Sequence, residues 1–457
     1  MTTQRARTAL VKQARRRLAA GLLLAVVVAG SWVIATQTRA RATAPQSAAV
    51  ASTALFDAFD HHQIVALGLA HGLRQQEDFV IGLLSHPRFA ATVDSIVVEF
   101  GNARFQARSD RYIAGGDVSP KALRAVWRDQ IGAAPDGVID EAAERFFAAV
   151  RQLNQTLTPR QRIRVALGDP AFDFRTLRQP EDIYAAVGRR DRVFAAAAER
   201  EARGGRHVLL LSGLMHLVRL PAQPHMDHNA LEILERGAKG RVWVVLPYSG
   251  GGARGQADFE RRYISRWPPI TIDALTGPLG AQPADRLLPD QRPPQPGADQ
   301  PASPYPGLKL RAAGDALISF GPCSRLRTTR FSLEQYREPA YRAELNRRSR
   351  ILTGRPFVPP PAERSDAAYC STVAAFSPYT GRRSRRRPFR GLAFSVVTSG
   401  CGYREHETAT APGSRNHYRE HDDTCRAATR PRSDRSVGGL HRGPRWLRRG
   451  AAHRAAV

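Results

Sequence analysis

Cysteine, methionine and lysine are scarce in this 457-residue chain, which has only four, three and four of them. Cys323 alone falls in the patterned body. Cys370, Cys401 and Cys425 follow in the tail without the short paired spacing of a zinc site, so neither a zinc module nor a disulfide framework is expected to hold the domain together. Familiar catalytic signatures are missing as well. No serine of the body sits in a Gly-x-Ser-x-Gly elbow and no His-Glu-x-x-His helix occurs, which argues against an elbow-type serine hydrolase and a zincin. No strand leads into a dinucleotide-binding glycine fingerprint. The run Gly250-Gly251-Gly252-Ala253-Arg254-Gly255 lacks the Lys-Ser/Thr ending of a phosphate loop and reads as a flexible loop.

Positive charge is plentiful but badly distributed for a binding face. The formal net charge is +28, carried by 65 arginines, a bias that matches GC-rich coding. Residues 1–45 hold eight bases and no acid, and residues 356–457 hold 19 arginines against eight acids, so the two ends supply 19 of the +28. A nucleic-acid partner is therefore not expected.

The N-terminus has its own pattern. Arg15, Arg16 and Arg17 precede an apolar stretch, residues 18–35, interrupted only by glycines and Ser31. At ~1.5 Å per helical residue this stretch nearly crosses a ~30 Å hydrocarbon core. Residues 1–45 are thus expected to be a signal peptide or an uncleaved hydrophobic helical membrane anchor, with the basic side in the cytoplasm and the body exported. At the other end, residues 356–457 show neither helical nor strand periodicity and are expected to be a disordered, Arg-rich tail or a frame-shifted extension.

Between these ends, short apolar runs alternate with amphipathic stretches. Strands are expected at 64–67, 95–98, 163–167, 208–211, 242–246 and 316–320. Helices are expected at 51–62, 75–84, 103–114, 120–130, 141–153, 191–202, 229–236 and 339–351. Such alternation predicts an α/β fold, a mostly parallel sheet flanked by helices, over residues 46–276. Nine prolines between 277 and 307 mark a linker or extended loop, after which 308–355 rejoins the same domain.

Ligands of open parallel sheets bind beyond the carboxyl ends of the strands. Polar residues expected there are His71 after the first strand, Glu99 at the end of the second, Asp169 after the third and His216 after the fourth. Both histidines stand in the same element, Gly68-Leu69-Ala70-His71 and Gly213-Leu214-Met215-His216, where the glycine would let the chain turn sharply and aim the imidazole over the rim. Two imidazoles and a carboxylate allow two chemistries. They can ligate a divalent metal that generates the nucleophile, with His71, Glu99 and His216 as ligands. Alternatively, one histidine acts as general base on water while Glu99 fixes its tautomer and stabilises the imidazolium. His225 and His228 read as solvated loop histidines, and Asp169 and Asp173 flank Pro170 in turn-forming positions.

At these residues the chain resembles the superfamily that unites erythromycin-esterase-like hydrolases, Tiki-type metalloproteases and ChaN-like haem-binding lipoproteins. The paired Gly-x-x-His elements carry the resemblance, together with Val97-Val98-Glu99-Phe100-Gly101-Asn102-Ala103-Arg104-Phe105-Gln106 and Arg190-Asp191, over roughly residues 55–247. It implies an exported hydrolase cleaving an ester or amide of a small molecule or peptide, with His71, Glu99, His216 and Asp191 as the catalytic set. The alternatives it implies are a haem- or metal-binding protein using the same side chains, or an inactive member. The chain departs from the pattern at Leu69, where relatives commonly carry a glutamate.

Overall fold

Residues 44–134, 141–220, 228–236, 240–250, 255–288, 305–330, 333–359, 362 and 365–374 are described by a computed structural model. Seven strands form: β1 (Ile64–Leu69), β2 (Ser95–Asn102), β3 (Arg164–Asp169), β4 (Val208–Gly213), β5 (Val242–Pro247), β6 (Thr271–Ala274) and β7 (Ala316–Ser319). They make one sheet in the order β3-β2-β4-β1-β5-β7-β6, in which every pairing is parallel except that of β6 with β7. The fold is α/β, as the alternation predicts. The one strand without a counterpart in the expected set is β6, a four-residue edge strand whose Asp273 and Ala274 are exposed. It lacks the apolar run by which buried strands announce themselves.

Each central strand divides its side chains between two cores, because successive residues face opposite sides of the sheet. Val65, Leu67, Ile96, Val98, Leu209 and Leu211 join one core, which the helices Ala44–Asp57, Arg74–Leu83, Pro120–Arg128 and Ala142–Thr156 cover with residues such as Phe79, Trp127 and Phe147. Ile64, Ala66, Val97, Val208, Leu210 and Val244 face the other core, covered by the helices Arg190–Ala202, Ala230–Glu235 and Gln256–Arg262. With both faces buried, these strands need continuous apolar runs, and the sequence supplies them.

The Pro-rich stretch is only partly what its composition suggests. Residues 277–288 dock on the second core through Leu279, Ala284, Leu287 and Leu288, while 289–304 lie outside the described residues. β7 then inserts between β5 and β6, so the segment after the prolines completes the same sheet. The apolar stretch 18–35 and the chain beyond 374 lie outside the described residues. Among those described, no helix is long and apolar enough to cross a membrane.

The cysteine reading needs correction. Cys323 and Cys370 form a disulfide across 47 positions, tying the helix Tyr369–Ala374 to the loop after β7. Spacing alone concealed the pair, because one partner sits in a segment whose composition suggested disorder. The ordered chain therefore continues past 356: Ala368 bridges Arg327, Tyr369 is buried, and Ala367 N–H donates to Thr328. Gly250 serves this bond. Its φ of 65° lies in the left-handed region, and a Cβ there would collide with Cys323 Sγ.

A cross-link closing this loop restricts the unfolded chain by about 4 kcal/mol in the chain-entropy treatment, of which 2–4 is typically realised. Cys370→Ser, or reduction of the wild type, is expected to lower stability by about 2–4 kcal/mol in urea unfolding. Equal midpoints for the oxidised and reduced protein would show that the bond contributes nothing.

Candidate functional site

Four adjacent strands, β3, β2, β4 and β1, end at one rim, so residues distant in sequence meet there. β4 lies between β2 and β1, and the end of β4 is the low point over which the side chains of its neighbours lean. Gly213 makes that possible. A Cβ at Gly213 would stand 2.6 Å from His71 Nε2 and 3.0 Å from Glu99 Oε2. Its φ of −53° is open to any residue, so the glycine is needed for space and not for the sharp turn expected of it. Gly68 likewise makes room, for Pro247 Cδ at 3.0 Å.

Glu99 is the centre of the cluster, with its side chain only 9% exposed. Its Oε2 accepts the Gly213 N–H and, at 3.2 Å, the Ser212 hydroxyl. Its Oε1 accepts from Arg190 Nη2 at 3.1 Å and lies 3.7 Å from His71 Nε2 and 4.0 Å from His216 Nε2. Burial alone would push this carboxyl up. The positive ends of His71, His216 and Arg190, with the Gly213 N–H, outweigh burial and hold it well below the ordinary carboxylate range. Glu99 is therefore held as the carboxylate at neutral pH.

Arg190 bridges two buried acids. Its Nε donates to Asp169 Oδ1 at 2.9 Å while Nη2 serves Glu99. Asp169 is fully buried and also accepts the Ile131 N–H; burial raises its carboxyl to about 6, against the pull of Arg190. Gly132 lets the guanidinium through, since a Cβ there would meet Arg190 Nη2 at 2.5 Å. Asp169 is thus an ion-pair partner and not a turn former. Asp173 does form the turn, capping Arg175 N–H, and its carboxyl falls to about 2, chiefly through hydrogen bonds from the Arg175 side chain.

The two histidines differ in surroundings. His216 lies in the short helix Leu214–Leu217, buried edge-on to Phe194 at 5.0 Å, and its Nδ1 meets Asp191 Oδ1 at 2.7 Å. Asp191 is itself fixed by the Ala230 N–H. An ionised acceptor at Nδ1 places a proton there and fixes the ring with Nε2 towards Glu99. The tautomer-fixing carboxylate is therefore Asp191, and the expectation that Glu99 plays this role is corrected: at 3.7 and 4.0 Å it is beyond hydrogen-bond reach of either ring. His71 is 72% exposed at the side chain. What fixes it is its backbone: Tyr369 Oη donates to the His71 carbonyl at 3.2 Å, Thr329 N–H to the Gly72 carbonyl at 2.8 Å, and Leu73 bridges Thr328. Gln76, fully buried, holds the end of β1 by donating to Gly68 O and accepting from Ala70 N–H, both at 2.7 Å.

A cavity of about 120 Å³ opens beside His71 and Glu99, and Leu69, the residue that replaces a glutamate, contributes an apolar wall. His216 does not reach this cavity. Neither Asn102 nor Gln106 is chemical. Asn102 ties Asp129 and Phe172 to the rim, and Gln106 pairs with the β3 backbone at Val165 and Leu167. His228 pairs with Glu232 on the surface, and His225 lies outside the described residues. Ser212, the Gly213 N–H and Gln130, which lines the cavity, were not legible as site groups beforehand.

The cofactors expected from the sequence can be tested against these donors. Both oxygens of Glu99 are engaged, and a guanidinium stands where a second positive charge would have to enter. Among the described residues no group of three His, Cys, Asp or Glu side chains is arranged to hold a metal ion. The set His71, Glu99 and His216 is assembled, but it does not fit a divalent metal. A haem could not enter the cavity beside His71, which is smaller than the ~150 Å³ that encloses a benzene ring.

The two buried carboxyls answer to acid with opposite signs. Glu99 lies below its ordinary 4.5, so its contribution to stability is present above that value and is lost as pH falls. Asp169 rises from 3.8 to about 6, so its contribution is full below 3.8 and is lost as pH rises towards 6. Glu99→Gln is expected to be destabilised most near neutral pH, with the gap to wild type narrowing below about pH 5 in urea unfolding. A gap constant from about pH 7 to about pH 3 would contradict the assignment.

No family model matches the chain. Among solved structures it is similar to the type III effector HopBA1, at 17% identity and a TM-score of 0.27, over 45% of this chain and 82% of that one. It is also similar to a Bacillus cereus protein, at 12% identity and a TM-score of 0.39, over 57% and 89% of the two chains. A succinoglycan biosynthesis protein matches at 11% identity and a TM-score of 0.30, over 43% and 68%. All three are distant.

Proposed function

We propose that the chain is an exported hydrolase of the erythromycin-esterase/Tiki-like type, cleaving a carboxylic ester or amide with water activated by His71. The observation that carries this reading is that His71 and Glu99 share the wall of one cavity, with the imidazole Nε2 3.7 Å from a carboxylate held ionised. His71 takes a proton from water in the cavity, the resulting hydroxide attacks the carbonyl carbon, and the imidazolium returns the proton to the leaving alkoxide or amine. Glu99 stabilises the imidazolium. At ~4 Å that attraction is worth ~1 kcal/mol in water and ~4 kcal/mol at an effective dielectric of ~20, and the exposed ring places it nearer the lower figure. His216, held by Asp191, and Arg190 keep Glu99 charged and in place. No step needs a metal.

The disulfide supports export, since such bonds persist in oxidising compartments. In that reading the apolar stretch 18–35 is the signal or anchor, and the substrate is a small molecule or peptide.

The test is turnover of a panel of p-nitrophenyl esters and p-nitroanilides by the full-length protein. His71→Ala is expected to lower kcat/KM by about 10²-fold or more, the usual contribution of a general base, and His216→Ala, which acts only through Glu99, by less, with thermal unfolding still cooperative in both. Asp191→Asn is expected to lower kcat with little change in KM, because it acts through the His216 tautomer. Wild-type kinetics in folded His71→Ala would refute the mechanism.

A further inference from the structure

The geometry points to the cavity beside His71 as the seat of the acyl part of the substrate: a short, uncharged, apolar group of about four or five carbons that carries one N–H or O–H donor. This inference rests on the hydrolase reading and names its substrate class. Size comes first. About 120 Å³ is less than the ~150 Å³ that encloses a benzene ring, so the group is short. Chemistry comes second. The walls include Leu69, Val80, Ile81, Phe100 and Phe146, with Phe100 edge-on to Phe146 at 5.3 Å.

Charge is excluded on both sides. Among the described residues no Arg or Lys lines the cavity, and Glu99 on its wall is held as an anion, so a substrate carboxylate would be repelled. An ammonium would be stripped of water against apolar walls, while Glu99 is already matched by Arg190, and Glu77, the other acid of the wall, is engaged in an interaction of its own.

Gln130 supplies the polar requirement. It follows the helix Pro120–Arg128 and lines the cavity, and its side-chain Oε1 is buried with no hydrogen-bond partner among the described residues. Buried acceptors are rarely left unpaired, because each one forfeits its hydration. The other neutral amide of the wall, Gln76, has both ends committed to the β1 backbone. An acceptor without a donor, on a side chain of the cavity wall next to the proposed base, is a place for a substrate donor. An alkyl chain bearing an amide N–H or a hydroxyl fits it, and a plain hydrocarbon chain leaves it unpaired.

The experiment measures binding apart from turnover. Full-length His71→Ala is titrated, by ligand-observed NMR, with acetamide, butyramide, hexanamide and octanamide, and with the matching methyl ketones, such as pentan-2-one for butyramide. Affinity is expected to rise about fourfold per methylene up to four or five carbons and then to level off. Each amide is expected to bind roughly five- to tenfold tighter than its ketone. Gln130→Leu should erase the amide preference and keep the length dependence, and Ala143→Phe, which fills the cavity, should abolish both. Equal affinities for amide and ketone, or no dependence on length, would overturn the inference. Ester turnover by the wild type is scored separately. Length-dependent binding without any turnover leaves the pocket standing and removes the hydrolase, whereas turnover indifferent to acyl length removes the pocket and leaves the hydrolase.

Discussion

Everything at the rim of the sheet depends on one buried anion. A carboxylate placed where Glu99 lies pays a desolvation cost of several kcal/mol unless it is matched, and an unmatched one would simply take up a proton. Here the matching is done from the ends of two strands and from a helix: the Gly213 N–H and Ser212 hydroxyl from β4, His71 beyond β1, His216 beyond β4, and Arg190 from the helix Arg190–Ala202. The anion in turn gives both imidazoles a fixed negative partner. The cluster is cooperative in the strict sense that no member has its present environment without the others.

The topology makes this arrangement cheap. Inserting β4 between β1 and β2 brings the ends of the first and second strands to either side of a glycine, and Leu69 pairs in register with Gly213. Arg190 then needs its own counterweight, since one guanidinium facing one carboxylate in a buried layer leaves donors to spare. Asp169 at the end of the edge-most strand of the group provides it, tied also to the Ile131 N–H. The exposed imidazole is steadied by different means. Its loop is strapped by Thr329 and by Tyr369, and the helix that begins at Tyr369 is tethered by the Cys323–Cys370 bond. A covalent link some distance away in sequence thus bears on the loop that carries His71.

The strands and the four rim residues were legible because burial on both faces imposes apolar runs, and parallel strands all deliver their ends to one side. Roles within the cluster were less legible. That Asp191, and not Glu99, orients His216 depends on where the helix Arg190–Ala202 packs, and adjacency to Arg190 in sequence gave no distance. The need for Gly213 was visible, but for the wrong reason: a turn was inferred where clearance was required. Gln130 offered no signal, being one glutamine at a helix end. The disulfide was hidden because composition was read over the whole of 356–457, and its averaged Arg-rich character masked the short segment around Tyr369 and Cys370 that docks. Pairings and clearances are properties of packing, which periodicity does not encode.

The central claim is that Glu99 stays ionised among two imidazoles and a guanidinium, and the most direct measurement is an infrared titration of its carboxyl. The wild-type minus Glu99→Gln difference spectrum is recorded from neutral pH downward. The account predicts that no protonated-carboxyl band assignable to Glu99 appears before the protein unfolds in acid. A band growing in around the ordinary value of 4.5 in the folded protein would contradict it.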